Sequence, residues 1–512
     1  MTSMKLFRTV AGILLIAALS KGLWDIGWTA AYEWHRPYVS DNVLFIAMGR
    51  AIVNGLTPYV DLFENKPPGM FVIAAVSLYF FDSSILGRLL QILAIVLIPV
   101  CTLFGGFFLN TNKQQPRERY LFLSWSFLFG VMLAVITSKW AGGFYPESFG
   151  ILFSLLYVMW FLRMRHRTVT WKMQLLGGLC IAFALGFKEV FLLCFLAIAL
   201  LLSLNRKEFL QKFCIPLIFA LLIGTMLLLV FGYLWPYLTT YIPYLLLWHG
   251  DMMSLLNPEK TPLWQTGFPT LSLGKHLLHI AFPLPFFLLF LCIAALFHGF
   301  ASKEGRRSFR VSALVLAMYL ATMSGQMAGG KPHHLAVMFP FFFALFLLVS
   351  QSSLWQSAWL KPVMTFFLCA IVFLQNNQFA QADFIEERQR ISLAEEVAAQ
   401  IDFIMDSCDI DRYLRLIVTP IPELAFIHHS PLPTGLISTR DYNNMAIPPL
   451  NKMLSQALLD ASIVLATPGF DVHGHVHRYL QEHFTLTPWP CAQHLFHLPG
   501  HLSLLFRNDR GA

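Results

Sequence analysis

Residues 85–119 read ILGRLLQILAIVLIPVCTLFGGFFLNTNKQQPRER. Residues 85–109 are almost wholly apolar, and a helix needs about 20 such residues to cross the hydrocarbon core of a bilayer. Lys113, Arg117 and Arg119 follow in a short polar loop. Because short basic loops stay on the cytoplasmic side of a membrane, this stretch predicts one spanning helix whose carboxyl end meets the cytoplasm.

The whole chain is similarly apolar. Of its 512 residues, 57% are hydrophobic and 12% are charged, and the mean hydropathy is +0.61, whereas a soluble protein carries about a quarter charged residues. We therefore predict an integral membrane protein with many spans. The net charge of +8 does not indicate nucleic acid as a partner, because positive charge in a membrane protein collects in cytoplasmic loops.

Four basic loops determine the predicted topology. Besides the loop at 113–119, they lie at 163–172, 206–212 and 303–310, and an even number of crossings must separate each loop from the next. With a cytoplasmic N-terminus, only one of the apolar stretches 67–82 and 85–109 can span. The shorter one is predicted to be an interfacial or re-entrant helix on the outer surface. About eleven spans remain, at 8–28, 85–109, 120–137, 147–162, 173–187, 190–204, 213–234, 277–300, 311–328, 335–350 and 362–379.

The C-terminal region differs in character from the rest. Residues 382–512 contain the amphipathic stretch FIEERQRISLAEEVAAQIDFIM and then the strand-like runs LRLIVT, ASIVLAT and LSLLFR. The predicted fold is an all-α polytopic membrane domain over residues 1–381 and a small α/β domain over residues 382–512, which the odd number of spans places outside. We expect a multi-pass protein of a bacterial inner (cytoplasmic) membrane.

The first outer loop, about residues 29–69, is rich in polar and aromatic groups. From Ala31 it reads AYEWHRPYVSDNVLFIAMGRAIVNGLTPYVDLFENKPPG. Asp41 stands at the start of a predicted helix, where it either caps that helix or serves as a catalytic base for a hydroxyl acceptor. Lys66, directly before Pro67-Pro68-Gly69, either binds a lipid phosphate or snorkels to the membrane surface.

Other candidate groups lie at predicted outer ends of spans. Glu147 opens a helix, where it is either a second catalytic residue that orients the acceptor or Asp41, or a first-turn carboxylate favoured by the helix dipole. Lys188 either faces a substrate or forms a structural pair with Glu189. The remaining candidate cations are Lys331, His333 and His334.

Several of these motifs resemble the GT-C glycosyltransferases, specifically the family 39-like branch with the protein mannosyltransferases and the lipid A aminoarabinose transferase. The resemblance covers most of the membrane domain, and its most specific element is the KPPG motif after an aspartate-containing loop. The matching segments are Asp41, the Gly55–Tyr59 turn, Asn65-Lys66-Pro67-Pro68-Gly69, Gly87-Arg88-Leu89, Tyr145-Pro146-Glu147, Gly186-Phe187-Lys188 and His333-His334-Leu335.

The resemblance implies roles for individual residues. Asp41 would be the catalytic carboxylate, and Lys66 would lie near the donor phosphate. Some relatives have an acidic residue directly before this lysine, which is a metal contact in the aminoarabinose branch. Here Asn65 occupies that position and Glu64 comes one residue earlier. Both join the predicted substrate-binding residues, and a divalent metal is possible but not required.

The residues and the resemblance together predict an inverting membrane glycosyltransferase that acts on a cell envelope glycan. It would take a sugar from a polyprenyl-phosphate donor and transfer it to a lipid, glycan or protein acceptor on the outer side. The alternative is a lipid or polysaccharide transporter or flippase, which would place charged residues mid-membrane within repeated, broken helices. A non-catalytic membrane scaffold would leave the charged first loop unexplained.

Overall fold

The computed structural model describes the chain in several ranges. They are 2–38, 41–61, 63–64, 66–81, 83–109, 116–164, 167–248, 310–317, 336–350, 360–374, 381–407, 415–418, 461–466, 484–485 and 503–507. The predicted span at 277–300, most of the span at 311–328, and the candidates Asn65, Lys331, His333 and His334 lie outside these ranges.

Helices dominate the described ranges. They are α1 Thr2–His35, α2 Asp41–Val53, α3 Gly69–Phe81, α4 Ile85–Leu109, α5 Pro116–Ala141, α6 Pro146–Arg163, α7 Trp171–Phe187, α8 Phe191–Leu202, α9 Arg206–Phe209, α10 Ile215–Val230, α11 Leu234–Pro236, α12 Phe339–Ser350, α13 Leu360–Leu374 and α14 Gln381–Ser407. Three π-helical segments accompany them, at Leu210–Cys214 (π1), Tyr237–Tyr241 (π2) and Tyr244–Trp248 (π3). Residues 310–317 are also helical.

Four of the described helical stretches are long and apolar enough to cross a bilayer: Thr9–His35, Ile85–Phe108, Glu118–Lys139 and Arg206–Val230. The prediction of an integral membrane protein is confirmed at this level. Shorter apolar helices, α7, α8, α12 and α13 among them, coincide with other predicted spans. The total of eleven and the orientation of the chain stay predictions.

A four-stranded sheet lies within the last hundred or so residues. Its strands are β1 Arg415–Val418, β2 Ala461–Ala466, β3 Phe484–Thr485 and β4 Ser503–Arg507, in the order β1-β2-β4-β3. β1 is parallel to β2, while β4 is antiparallel to both β2 and β3. The three strand-like runs predicted from sequence coincide with β1, β2 and β4, and α14 covers the predicted amphipathic helix. A separate α/β domain outside the membrane stays a prediction.

The chain forms two compact units. Unit 1 comprises residues 1–35, 88–227 and 259–379, and unit 2 comprises residues 36–87, 228–258 and 380–512. Most of the first outer loop therefore belongs to the same unit as the C-terminal region. The predicted domain boundary after residue 381 is a different division, and it stays a prediction.

In unit 1, small residues let the apolar helices approach closely. A side chain at Gly130 of α5 would meet Pro99 and Thr102 of α4, and one at Gly150 of α6 would meet Phe191 of α8. Such contacts are a usual way to pack helices in a membrane, where burial of apolar surface adds little.

In unit 2, α2 and α3 pack side by side in the same direction. The rings of Phe45 and Phe71 have centroids 6.2 Å apart, and a Cβ at Gly49 would lie 2.5 Å from the Cβ of Ala74 and 2.7 Å from the backbone of Ala75. From the first contact to the second, the contacting residue moves toward the C-terminus on both helices, so α2 and α3 are parallel. The N-termini of α2 and α3 consequently lie at the same end of the pair.

Helix α3 has the length and surface of an interfacial or re-entrant helix. Its 13 residues extend about 20 Å at 1.5 Å per residue, which is less than the roughly 30 Å of a hydrocarbon core. At its C-terminal end, Tyr79, Phe80 and Phe81 are 72%, 69% and 56% exposed within the protein. This aromatic end suits the interface between lipid and water, where Tyr side chains are enriched.

The α2–α3 contact leads to a test of stability. We expect Gly49→Ala to destabilise the protein by about 1–3 kcal/mol, because the added methyl group overpacks a backbone contact. The measurement is the thermal unfolding midpoint of the purified protein in detergent.

Gly27→Ala is the matched control for this substitution. Gly27 is also helical, but a Cβ there would meet nothing within 4 Å. Alanine should leave the midpoint unchanged or raise it slightly, because alanine favours a helix over glycine by roughly 0.5–1 kcal/mol. Equal midpoints for the two variants would contradict the close α2–α3 contact.

Candidate functional site

The end of α2 is built to turn the chain sharply. The amide of Leu56 donates to the carbonyl of Ala51, and the amide of Gly55 donates to the carbonyl of Ile52. Gly55 has φ +85°. These are the features of a Schellman cap, in which glycine adopts the left-handed conformation without steric cost. The predicted Gly55–Tyr59 turn is therefore present, and its glycine is needed to end α2.

Tyr59 binds the backbone of the KPPG motif. Its phenol donates a 2.7 Å hydrogen bond to the carbonyl of Lys66. Its ring is buried, and its centroid lies 5.0–6.4 Å from those of Phe63, Phe71, Tyr237 and Tyr241. The φ of Tyr59 is +64°, a strained value for a bulky residue that persists only where the surroundings impose it.

Two π-helical segments of unit 2, π2 and π3, complete this aromatic cluster. Tyr237 and Tyr241 belong to π2, and Tyr244 of π3 packs edge-on against Phe63 with centroids 4.7 Å apart. π-Helical turns are often found at functional sites. This contact could not be predicted from the sequence, because Phe63 and Tyr244 are about 180 residues apart in the chain.

Lys66 and Glu64 form a loose ion pair. Lys66 Nζ lies 3.7 Å from Glu64 Oε1, which is too long for a hydrogen bond. The Glu64 side chain is 7% exposed, whereas that of Lys66 is 21% exposed. The ammonium group is thus held near a buried carboxylate and still reaches the surface of unit 2.

Asp41 is the first residue of α2. Phe45 packs on Phe71 and Gly49 on Ala75, so the same offset carried back along the helices puts Asp41 close to the level of Pro67. The structure therefore brings the start of α2 and the KPPG motif to one end of the α2–α3 pair. Two helix N-termini at this end add positive electrostatic potential to the charge of Lys66.

Glu147 and Lys188 pair with each other in unit 1. Lys188 Nζ donates to Glu147 Oε1, and the two side chains are only 8% and 1% exposed. Glu147 stands in the first turn of α6, and Lys188 directly follows α7. Lys188 thus has a charged partner 41 positions earlier in the chain, and the structural pair considered for Lys188 and Glu189 stays a prediction.

The sequence reasoning missed Glu33. This buried carboxylate near the end of α1 accepts hydrogen bonds from the Ser138 hydroxyl and, at 2.6 Å, from the amide of Gly143. Gly143 and Phe144 both have positive φ, at +74° and +83°. Glu33 therefore holds the strained turn that leads into α6 and Glu147.

A sequence signal for Glu33 did exist. Asp25, Thr29 and Glu33 follow one another at four-residue spacing, and all three are buried. Polar residues repeated at this spacing on an apolar helix usually face the protein interior. The predicted end of the first span at residue 28 concealed the pattern, because α1 continues to His35.

Metal ligands do not cluster in the described ranges. Among those residues, no group of three or more His, Cys, Asp or Glu side chains is placed to hold a metal ion. Lys331, His333 and His334 are outside these ranges, and their predicted roles stay predictions.

No protein-family model matches the chain, and no curated protein has a matching sequence. Among solved structures, the chain matches the crystal structure of an Archaeoglobus fulgidus oligosaccharyltransferase in complex with Zn and sulfate. The TM-score is 0.44 at 12% identity, and the match covers 89% of this chain and 68% of that chain. At this TM-score, neither an enzyme class nor a residue role is taken from the match.

The buried Glu147–Lys188 pair leads to a second test. We expect Lys188→Met to destabilise the protein by about 3–5 kcal/mol, because it leaves a buried carboxylate without its cation. The double variant Glu147→Gln with Lys188→Met should recover most of this loss, because neither charge remains. Thermal unfolding in detergent measures both effects.

Lys361→Met provides the comparison. Lys361 pairs with Glu118, but these side chains are 25% and 43% exposed, and such pairs contribute about 0–1 kcal/mol. If Lys188→Met lowers the stability no more than Lys361→Met does, the buried Glu147–Lys188 pair does not stabilise the protein more than an exposed pair.

Proposed function

We propose that this protein is an inverting membrane glycosyltransferase. It takes a sugar from a polyprenyl-phosphate donor and transfers it to a lipid, glycan or protein acceptor on the outer side of the membrane. The observation that carries the proposal is the parallel packing of α2 on α3, which brings the start of α2 at Asp41 to the same end as Lys66.

The chemistry needs two groups of opposite charge. As the acceptor hydroxyl attacks the anomeric carbon, Asp41 accepts its proton, and the bond from that carbon to the phosphate oxygen breaks. The phosphate leaves with the bonding electron pair and carries the developing negative charge. Attack on the face opposite the departing phosphate inverts the configuration at the anomeric carbon.

Lys66 and the two helix N-termini are suited to the departing phosphate. An ammonium group and aligned backbone dipoles stabilise negative charge when they are fixed in place before the reaction. The backbone of Lys66 is held through its carbonyl, which accepts the 2.7 Å hydrogen bond from Tyr59. Its ammonium group lies 3.7 Å from Glu64 and its side chain is 21% exposed, so a phosphate oxygen can approach it from the surface of unit 2.

The other candidates have supporting roles in this proposal. Glu147 and Lys188 bind each other in the interior of unit 1, which suits a pair that stiffens the ends of α6 and α7. Glu64 and Asn65, which precede Lys66 in the chain, are proposed as further substrate-binding residues, and Lys331, His333 and His334 are proposed as further cations for the donor.

The central test replaces the proposed base. Asp41→Asn keeps the size of the side chain but removes its basicity, and loss of a general base lowers the rate by about 10²–10⁴-fold. We expect the sugar modification to disappear from surface lipids, glycans and proteins. Mass spectrometry would compare cells that express each variant with cells that lack the protein.

Asp61→Asn is the matched control, because it makes the same change in the same loop. The Asp61 carboxylate accepts a 2.7 Å hydrogen bond from the amide of Thr57, and an asparagine oxygen can accept it as well. This variant should keep the modification. Full modification in Asp41→Asn cells would exclude Asp41 as the base.

Replacing Lys66 tests the phosphate site separately. We expect Lys66→Ala to raise the KM for a polyprenyl-phosphate sugar in isolated membranes, and Lys66→Arg to restore much of the affinity because it keeps the positive charge. The measurement is the transfer rate as a function of added donor. An unchanged donor dependence in Lys66→Ala would refute the proposed contact with phosphate.

A further inference from the structure

The C-terminal helix α14 is tied to the segment that precedes Asp41. Arg36 donates from Nε, at 3.2 Å, and from Nη2, at 2.8 Å, to Oε1 of Glu387. The two side chains are only 15% and 11% exposed. Charge-assisted hydrogen bonds are stronger than neutral ones, and a pair with so little exposure is less screened than one at the surface.

One side of helix α14 is buried. Glu387, Ala394, Val397 and Ala398 are buried, and their spacing places them on one side of the helix. Glu386, on the neighbouring position, is exposed. Glu387 therefore lies at the N-terminal end of this buried face, and its carboxylate binds Arg36.

Residues 36–38 are held on a second side. Pro37 and Tyr38 are buried, and the Tyr38 hydroxyl donates to the carbonyl of Ser84 at 3.4 Å, a long and weak hydrogen bond. The Arg36 ion pair is the stronger of these two restraints. Asp41 follows Arg36 by only five positions in the chain, so a shift of Arg36 would reach the start of α2 through a short stretch of backbone.

We infer that Arg36 and Glu387 are positioning residues, through which the C-terminal region holds Asp41 in place for transfer. The inference rests on the proposed function, since it assigns the ion pair a role in the same site. It goes beyond that function by making α14 part of the catalytic support. Displacement of α14 would then slow transfer without altering the phosphate site at Lys66.

Exchange of the two charges is the test. Arg36→Glu and Glu387→Arg each place like charges together, and we expect each to lower kcat about 10–100-fold, the scale of loss for a small misplacement in a reacting site. The double variant restores an opposite pair and should return kcat to within a few-fold of the unaltered protein. The KM for the polyprenyl-phosphate donor should remain the same in all three variants.

Glu386→Arg is the matched control, because it makes the same charge change one position away on the exposed side of α14. It should keep normal activity. Single variants as active as Glu386→Arg would overturn the inference, and so would a double variant no better than the single ones. A rise in donor KM with unchanged kcat would also overturn it, since that result would place the effect at the phosphate site.

A readout without activity separates this inference from the proposed function. A broad-specificity protease should cleave α14 faster in each single variant and at the normal rate in the double variant. Faster cleavage with unchanged kcat would show that the ion pair only docks the helix, and the positioning role would be wrong. If Asp41→Asn leaves transfer intact, the proposed function fails, whatever the protease result.

Discussion

The parallel contact between α2 and α3 is the constraint on which the candidate site depends. Helices that follow each other through a short loop usually pack antiparallel, which would separate the two N-termini by the length of a helix. Here a long connection, residues 54–68, separates α2 from α3 in the chain. Gly49 allows α2 to reach the backbone of Ala74 and Ala75. The long connection is therefore the condition for bringing Asp41 and Lys66 to one end.

Much of this arrangement could be predicted from the sequence. The apolar runs identify spanning helices because the length of a lipid-crossing helix depends on little besides composition. The start of α2 at Asp41 follows from local chemistry, since a carboxylate is favoured at a helix N-terminus. The proline-bearing motif and the short length of the next run also predicted α3 as a helix too short to span.

The partners of the charged side chains could not be predicted in the same way. Lys188 binds Glu147 across 41 positions, and Arg36 binds Glu387 across 351 positions. Both pairs arise from packing between distant segments, which single-sequence patterns do not encode. Glu33 was missed for a different reason, because the helix that carries it continues beyond the predicted lipid boundary.

Lys66 and Lys188, the two candidate lysines in the part of the chain that the structure describes, differ in how easily a phosphate can reach them. Lys188 is buried against Glu147 with a direct hydrogen bond, and removal of one partner from such a pair costs about 3–5 kcal/mol. Lys66 stands 3.7 Å from Glu64 and is 21% exposed, so a ligand can reach its charge from the surface of unit 2. A negatively charged donor therefore favours Lys66, and the buried pair serves better as support. This distinction depends on burial and distance, which is why two lysines that looked equivalent in the sequence receive different roles in the structure.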